Sequence, residues 1–367
     1  MKKMVIAVAV SMIMGSFAAA EAVVWNNMEA LQETRVDGRS SYYGSALKVE
    51  QKAQEAMNEA IPLITDKETV PPSGDKRDYM SIAVYYWPDQ SKPDGLPYIR
   101  HDGKVNPERN DVKRFDAARR DHMVRMVRAL SRGYAVTGKE EYAARAVKIL
   151  SAWFIDDATA MRPRLEYAQI VPGRSSGRHW GLLDTAGFIE LIDDTEMLKG
   201  SKAYTPEVEN GLKSWFSRYP DWLISSEKGR GEAAAPNNHG TWYDAQTAVF
   251  AHFVGRDDIA REILQAVPEK RMEKQLAKDA SQPLELARTR PVHYSCFNLR
   301  AYMTLARLGK ELGIDLYSVK TTSGVSLKDA VNFILPYAEG KKAMNKKETV
   351  KEKAFLKMAA MDGLIDE

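Results

Sequence analysis

One stretch of the chain reads Pro236-Asn237-Asn238-His239-Gly240-Thr241-Trp242-Tyr243-Asp244, with an amide and an imidazole side by side where a loop runs into a helical pattern. Asn238 or Thr241 is placed to cap that helix, and the unpaired N–H groups of a helix start favour an anion. Asn238 and His239 in this position suit the recognition of a carboxylate. A second stretch, Leu284-Glu285-Leu286-Ala287-Arg288-Thr289-Arg290-Pro291-Val292-His293-Tyr294-Ser295, sets Arg288 six residues before Tyr294. A tyrosine ionises near about 10, so it works as a base at neutral pH only where a cation lowers that value. Arg288 is the cation this segment offers. Each segment also has a plainer reading: a capped helix with a satisfied histidine, and an arginine paired to a surface carboxylate beside a core tyrosine.

Two further stretches are rich in aromatic, cationic and turn residues. Tyr85-Tyr86-Trp87-Pro88-Asp89 runs on to Pro93-Asp94-Gly95-Leu96-Pro97-Tyr98, and Tyr167-Ala168-Gln169 is followed by Gly177-Arg178-His179-Trp180. Pyranose C–H faces are apolar while their hydroxyls seek polar partners, so such runs make sugar-stacking surfaces. Tyr85, Tyr86, Trp87, Tyr167, Gln169, Arg178, His179, Trp242 and His293 are therefore candidate substrate contacts. His179, His239 and His293 carry no His-Glu-x-x-His, His-x-His or carboxylate-rich companion pattern, so a catalytic metal is not expected. Walker-type and dinucleotide glycine loops and a Gly-x-Ser-x-Gly elbow are absent from the sequence.

Apolar positions past residue 110 recur at helical spacing and in pairs. Met123, Met126/Val127, Leu130 and Tyr134 form one stripe, and Tyr142, Ala146, Ile149/Leu150 and Trp153 form another across Thr137-Gly138. Thr205 and Pro206 open a helix carrying Val208, Leu212, Trp215/Phe216, Tyr219 and Leu223. Trp242, Ala245, Val249 and His252 pair with Ile259, Ile263/Leu264 and Val267 across Gly255, and Ala301 to Leu312 precede a Ser326-capped helix. Successive antiparallel pairs predict an all-α toroid or solenoid. Four connecting stretches, Ala83–Arg109, Arg162–Gly181, Gly229–Thr241 and Gln282–Cys296, are long enough to build one cleft from loops on a common rim.

The 367 residues carry 53 Lys+Arg against 50 Asp+Glu and are 44% hydrophobic, which describes a packed globular protein. Lys2 and Lys3, the apolar run Met4 to Met14, and the small residues up to Ala20 and Ala22 have the three parts of a signal peptide. Residues 1–22 are thus expected to be removed after Ala20 or Ala22, leaving one domain over 23–367 that is periplasmic or secreted. The apolar run is shorter than the roughly 20 residues of a span, so no membrane insertion persists after cleavage. A near-neutral mature chain gives no basic face for nucleic acid. Cys296 has no partner in the chain and is read as a small buried hydrophobe. The Lys-rich tail from Glu339 (Lys341, Lys342, Lys346, Lys347, Lys351, Lys353, Lys357) reads as a solvated helix or frayed end.

Asn237-Asn238-His239 and the Glu285-Leu286-x-Arg288 to Tyr294 segment, in that order, resemble the alginate lyase superfamily of polysaccharide lyases over roughly Tyr85 to Ile334. The resemblance implies an incomplete (α/α) toroid, an acidic polysaccharide as partner, no cofactor, and a catalytic set of Asn238, His239, Arg288 and Tyr294. It also implies β-elimination on a 1,4-linked polyuronate, leaving a 4,5-unsaturated end, with either Tyr294 or His239 as the base. The mannuronate-specific family 5 follows Asn-Asn-His with Ser-Tyr-Trp and sets its Tyr seven residues after the Arg. This chain has Gly-Thr-Trp and a spacing of six, and its Tyr-Tyr-Trp-Pro-Asp block is similar to the branch holding the glucuronan lyases of family 38. Glucuronan and mannuronate-type alginate are the substrates this implies. Two rival readings are an (α/α)-barrel glycoside hydrolase, for which Asp184 and Asp244 are candidate acids, and a carbohydrate-binding protein without chemistry.

Overall fold

The computed structural model describes residue 26, residues 28–344 and residues 351–365. The expected signal segment and its cleavage positions at Ala20 and Ala22 lie outside the described residues. Helices α1 (Met28–Asp37) and α2 (Ala46–Asn58) are joined through a short antiparallel pair, β1 (Arg39–Ser40) and β2 (Gly44–Ser45). Next come β3 (Met80–Ile82), β4 (Tyr86–Trp87) and β5 (Ile99–Arg100), then the first predicted hairpin, α3 (Ala117–Thr137) and α4 (Glu140–Phe154). Gly138 turns between those helices at φ +70°, a left-handed conformation that suits glycine. Strand β6 (Tyr167–Ile170) precedes α5 (Phe188–Glu196), α6 (Pro206–Ser225) and α7 (Glu227–Ala233). The remainder is α8 (Asn238–Phe253), α9 (Asp257–Val267), the short α10 (Glu273–Gln275) and α11 (Pro283–Leu286), then α12 (Pro291–Glu311), α13 (Leu327–Ala338) and α14 (Lys353–Met361).

The helices pack in sequence, α2 on α3, α3 on α4, α4 on α6, α6 on α8, and α8 on both α9 and α12, with α13 and α14 closing against α12. This succession of hairpins is an incomplete (α/α) toroid, and the predicted stripes are its inner seam. Leu212, Trp215, Phe216, Tyr219 and Leu223 are all buried from α6, where they meet Phe154 and Phe188. Trp215 lies 4.9 Å from Phe154 and 4.9 Å from Phe216, ring centroid to centroid, and its indole N–H donates to the Met161 carbonyl at 2.6 Å. A polar atom deep in an aromatic cluster is thus satisfied. Ser326 caps α13 reciprocally: its hydroxyl accepts from the Asp329 N–H while the Asp329 carboxylate accepts from the Ser326 N–H.

Several local expectations are corrected. Two of the expected loops hold strands: β3 pairs in parallel with β6, and β4 pairs antiparallel with β5, because a long connection lying against the toroid needs partners for its backbone groups. Thr205 stands extended before α6, but its side chain accepts no capping bond. The cap of α8 is Asn237, whose side chain accepts from the His239 N–H, rather than Asn238 or Thr241. Helix α12 opens at Pro291, so His293 and Tyr294 sit in its first turn and not in a loop; proline at the first helical position starts it without losing an intrahelical bond. Of the Lys-rich tail, residues 353–361 form a helix whose Lys353 and Lys357 are exposed but whose Phe355, Met358 and Ala359 are buried in the main core; Lys346 and Lys347 lie outside the described residues.

Trp215→Ala removes a fully buried aromatic and is expected to cost about 4 kcal/mol, against about 1 kcal/mol for Ser326→Ala, in denaturant melts of the two variants.

Candidate active site

One cleft of about 650 Å³ opens where the β4–β5 hairpin, the turn after β6, the start of α8 and the start of α12 converge. Asn238, His239, Arg288 and Tyr294 all line it, together with Tyr85, Tyr86, Gln169, Arg178, His179 and His293. Three predicted contacts do not reach it. Trp242 is buried one turn into α8 and packs on Phe297 at 4.9 Å, so it is core and not rim. Tyr167 packs with Tyr86 and Ile170 on a small cluster formed by Met80, Ile82, Tyr98 and Val171. Trp87 follows Tyr86 on β4 and so faces the other way, donating its indole N–H to the Lys104 carbonyl at 2.9 Å.

The His239 imidazole is held from behind. Its Nδ1 lies 2.6 Å from Glu232 Oε1, and His179 Nδ1 lies 2.9 Å from Glu232 Oε2, so a single carboxylate on α7 bridges two imidazoles. Glu232 is fully buried; burial alone would raise its carboxyl, yet the charge of His239 and the hydrogen bonds from both histidines hold it below the usual range. Occupation of Nδ1 leaves Nε2 as the ring nitrogen of His239 available to a substrate. Asn238 is fixed in the same way by Glu285, which accepts its backbone N–H at 2.7 Å and its amide Nδ2 at 2.8 Å. An amide nitrogen carries two hydrogens, so this bond engages one of them. Burial raises the Glu285 carboxyl despite the two bonds from Asn238. Gly240 permits the tight start of α8, because a Cβ there would sit 2.2 Å from the Ala235 carbonyl oxygen.

On the facing side the guanidinium of Arg288 stacks 3.7 Å from the centroid of the Tyr294 ring, and the Tyr294 hydroxyl is 2.5 Å from that of Tyr85. Tyr294 does not have the lowered pKa that the spacing suggested. Burial raises it, the hydrogen bond and charge of Tyr85 raise it further, and Arg288, lying over the ring face, only partly opposes them. The resting side chain is a protonated phenol. Arg288 is tied to the hairpin: its Nη2 donates to Asp102 Oδ1 at 2.9 Å and its Nε to Oδ2 at 3.3 Å, while Arg100 and Thr289 donate to the same carboxylate. Burial raises the Asp102 carboxyl, but the hydrogen bond and charge of Arg288, then those of Arg100, outweigh it and hold it at about 2.

The third wall carries Arg178, sandwiched 4.7 Å from both the Tyr86 and the Trp180 rings. Its Nε and Nη2 donate to the backbone and side-chain oxygens of Gln169 at 3.2 and 3.0 Å. Gln169 adopts φ +51°, a left-handed conformation unfavourable for a side-chain-bearing residue by about 1 kcal/mol, and this turns its carbonyl toward the guanidinium. Arg100, Arg109 and Arg120 also line the cleft, where Asp184 is the one carboxylate among the described residues. Asp184 accepts from Tyr79, Ser81 and Gln169. Asp244, the other acid suggested for a hydrolase, is buried against Arg271 at 2.7 Å and does not line the cleft. The paired carboxylates of a hydrolase are therefore not found on the cleft, which is instead a cationic groove.

An alginate lyase family model matches residues 63–344. An alginate lyase from Bacteroides ovatus, solved by crystallography, shares 36% identity with this chain, covering 93% of it and 91% of its own length, with a TM-score of 0.86. The chain belongs to the alginate lyase family. It is a polysaccharide lyase. Alginate lyase A1-III from Sphingomonas species A1 has the same fold at 16% identity and a TM-score of 0.53, covering 87% of this chain and 88% of that one. A variant of A1-III complexed with a tetrasaccharide matches at 18% identity and a TM-score of 0.57, over 85% of this chain and 76% of that one. No curated protein matches the chain.

Sequence reasoning missed the supports of this lyase's cleft. Glu232 lies seven residues before His239 with no motif to mark it, and Asp102 lies far from Arg288 in sequence. Trp180 was visible in its aromatic run but not singled out. Because the Asp102 carboxyl is depressed in the folded chain, its contribution to stability is present above the unfolded value near about 4 and is lost as pH falls toward about 2. Asp102→Asn should accordingly be less stable than the unsubstituted lyase at neutral pH, with the gap in urea midpoints narrowing between about pH 4 and pH 2.

Proposed function

We propose that this lyase cleaves 1,4-linked polyuronates of the mannuronate or glucuronate type by β-elimination. The observation that carries the proposal is the meeting of Asn238, His239, Arg288 and Tyr294 on one arginine-lined cleft. Removing the C5 proton beside an ionised carboxylate concentrates negative charge, which preorganised donors must absorb. The remaining amide hydrogen of Asn238 and the guanidinium of Arg178 are assigned to that carboxylate. Arg288 adds positive charge beside Tyr294.

The proton inventory follows from the hydrogen bonds. His239, with Nδ1 held by Glu232, takes the C5 proton on Nε2. The C–H electron pair becomes the C4–C5 double bond, the C4–O bond breaks, and the leaving oxygen takes the phenolic proton of Tyr294. A protonated resting Tyr294 supports its assignment as the acid. In β-linked mannuronate or glucuronate, H5 and the C4 oxygen lie on the same face, so acceptor and donor approach the sugar from one side. Exchange of a proton between His239 and Tyr294 restores the resting state.

Residues 23–367 act as one catalytic unit in this proposal, a reading supported by a core cluster that runs from Ala53 to Leu364. The basic, apolar and small-residue pattern of residues 1–22 supports action in the periplasm or outside the cell. Among the described residues no helix is long and apolar enough to cross a membrane.

Incubation with polymannuronate, glucuronan and polyguluronate, followed by ultraviolet absorbance of the unsaturated uronate, tests the proposal. Polymannuronate or glucuronan should give absorbing product, and absence of product from all three polymers overturns it. Tyr294→Phe should lower kcat at least about a thousandfold with binding retained, since it removes the transferable proton but keeps the ring on Arg288. His239→Ala should give a comparable loss; full activity in either variant removes that residue from the mechanism.

A further inference from the structure

The family match ends at residue 344, yet the chain beyond it returns to the active site. Glu352 Oε1 lies 3.2 Å from Nδ1 of His293, which lines the cleft immediately before Tyr294. We propose that Glu352 is a positioning residue for substrate binding, holding the His293 ring against the cleft, and that residues 351–365 are therefore part of the catalytic architecture.

Four observations support this. The segment is firmly seated: Phe355 and Ala359 are wholly buried, the Glu352 N–H donates to the Ala338 carbonyl at 2.9 Å, and Arg307 donates to Asp362 at 2.6 Å. The His293 ring is fixed on its flat side as well, lying parallel to Phe297 at 6.2 Å and edge-on to Tyr294 at 5.4 Å. A ring clamped by Phe297 has its rotation about the ring plane left to be set by a hydrogen bond, and Glu352 supplies one. The pattern repeats that on the other wall, where Glu232 engages Nδ1 of His179 and His239. All three cleft histidines thus offer Nδ1 to a glutamate from behind. Glu352 also bears on Arg300, two helical turns along α12: burial lowers that guanidinium to about 10, and the Glu352 charge opposes the fall.

A carboxylate on Nδ1 selects the tautomer with the proton on that nitrogen and fixes which ring edge is turned to the cleft. The ligand class this suits is the carboxylate or hydroxyl of a uronate residue next to the one being cleaved. The inference rests on the lyase reading for its substrate, whereas the Glu352–His293 contact is independently measurable.

The test compares Glu352→Gln, His293→Gln and the double variant on whichever polyuronate the unsubstituted lyase cleaves. Glu352→Gln should raise KM about fivefold with kcat within about twofold, and Glu352→Asp, which keeps the charge, should return most of that loss. In the His293→Gln background Glu352→Gln should add nothing. An unchanged KM in Glu352→Gln, or additive effects in the double variant, overturns the proposal. A second readout needs no turnover. With six histidines in the chain, nitrogen magnetic resonance of imidazole-labelled protein can assign His293 by its loss in His293→Gln. Its Nδ1 should resonate as a protonated nitrogen and move toward the opposite tautomer in Glu352→Gln; a spectrum indifferent to Glu352→Gln overturns the positioning role. Absence of activity on every polyuronate, with the nitrogen signature present, places the failure in the substrate reading instead.

Discussion

A buried carboxylate bridging two imidazoles sets the geometry of this lyase. Glu232 has no exposure to water, and an unpaired charge so placed would be destabilising by several kcal/mol. Hydrogen bonds to His179 and His239 satisfy it, and in making them both rings lose their freedom to turn. The same contact that stabilises the buried charge therefore orients the His239 imidazole on the cleft. Glu285 repeats the arrangement for the amide of Asn238, so the two residues at the head of α8 are each locked by a carboxylate from a different helix.

The opposite wall is assembled differently. Its key contacts run between the β4–β5 hairpin and the start of α12, through Asp102 on Arg288 and through the Tyr85 and Tyr294 hydroxyls. A hairpin placed against the cleft by an ion pair and a short hydrogen bond makes two walls interdependent: moving the hairpin moves the guanidinium, and with it the charge over the tyrosine ring. Arg178, stacked between Tyr86 and Trp180, adds its charge to those of Arg100, Arg109, Arg120 and Arg288 on the groove and is steered by the strained Gln169. The net charge of the chain is only +3, but this groove concentrates arginines, so the local field is far more positive than the chain as a whole.

Much of this was legible before any coordinates. The stripes of α3, α4, α6 and α9 follow from helical periodicity because each of these helices keeps a solvent-facing side and periodicity records the buried one, whereas α8 is buried all round from Gly240 to Ala251. Asn238, His239, Arg288 and Tyr294 were legible because their segments combine unusual residue types at a fixed order. Trp242 misled for a related reason: composition marks an aromatic as suited to sugar, but one turn into α8 the helical phase directs it inward onto Phe297. Tyr294 misled in another way, since an arginine nearby in sequence says nothing of whether its charge meets the hydroxyl or the ring face.

The amino-acid sequence by itself determined the hairpin succession, the family and the side chains available for chemistry, because these depend on local spacing and residue type. Tertiary structure alone decided which carboxylates stand behind the histidines, that Tyr294 rests as a phenol beside Tyr85, and that residues 351–365 return to His293. Each of those depends on distances between segments far apart in the chain and on how much water is excluded between them, and neither quantity is written in the order of residues.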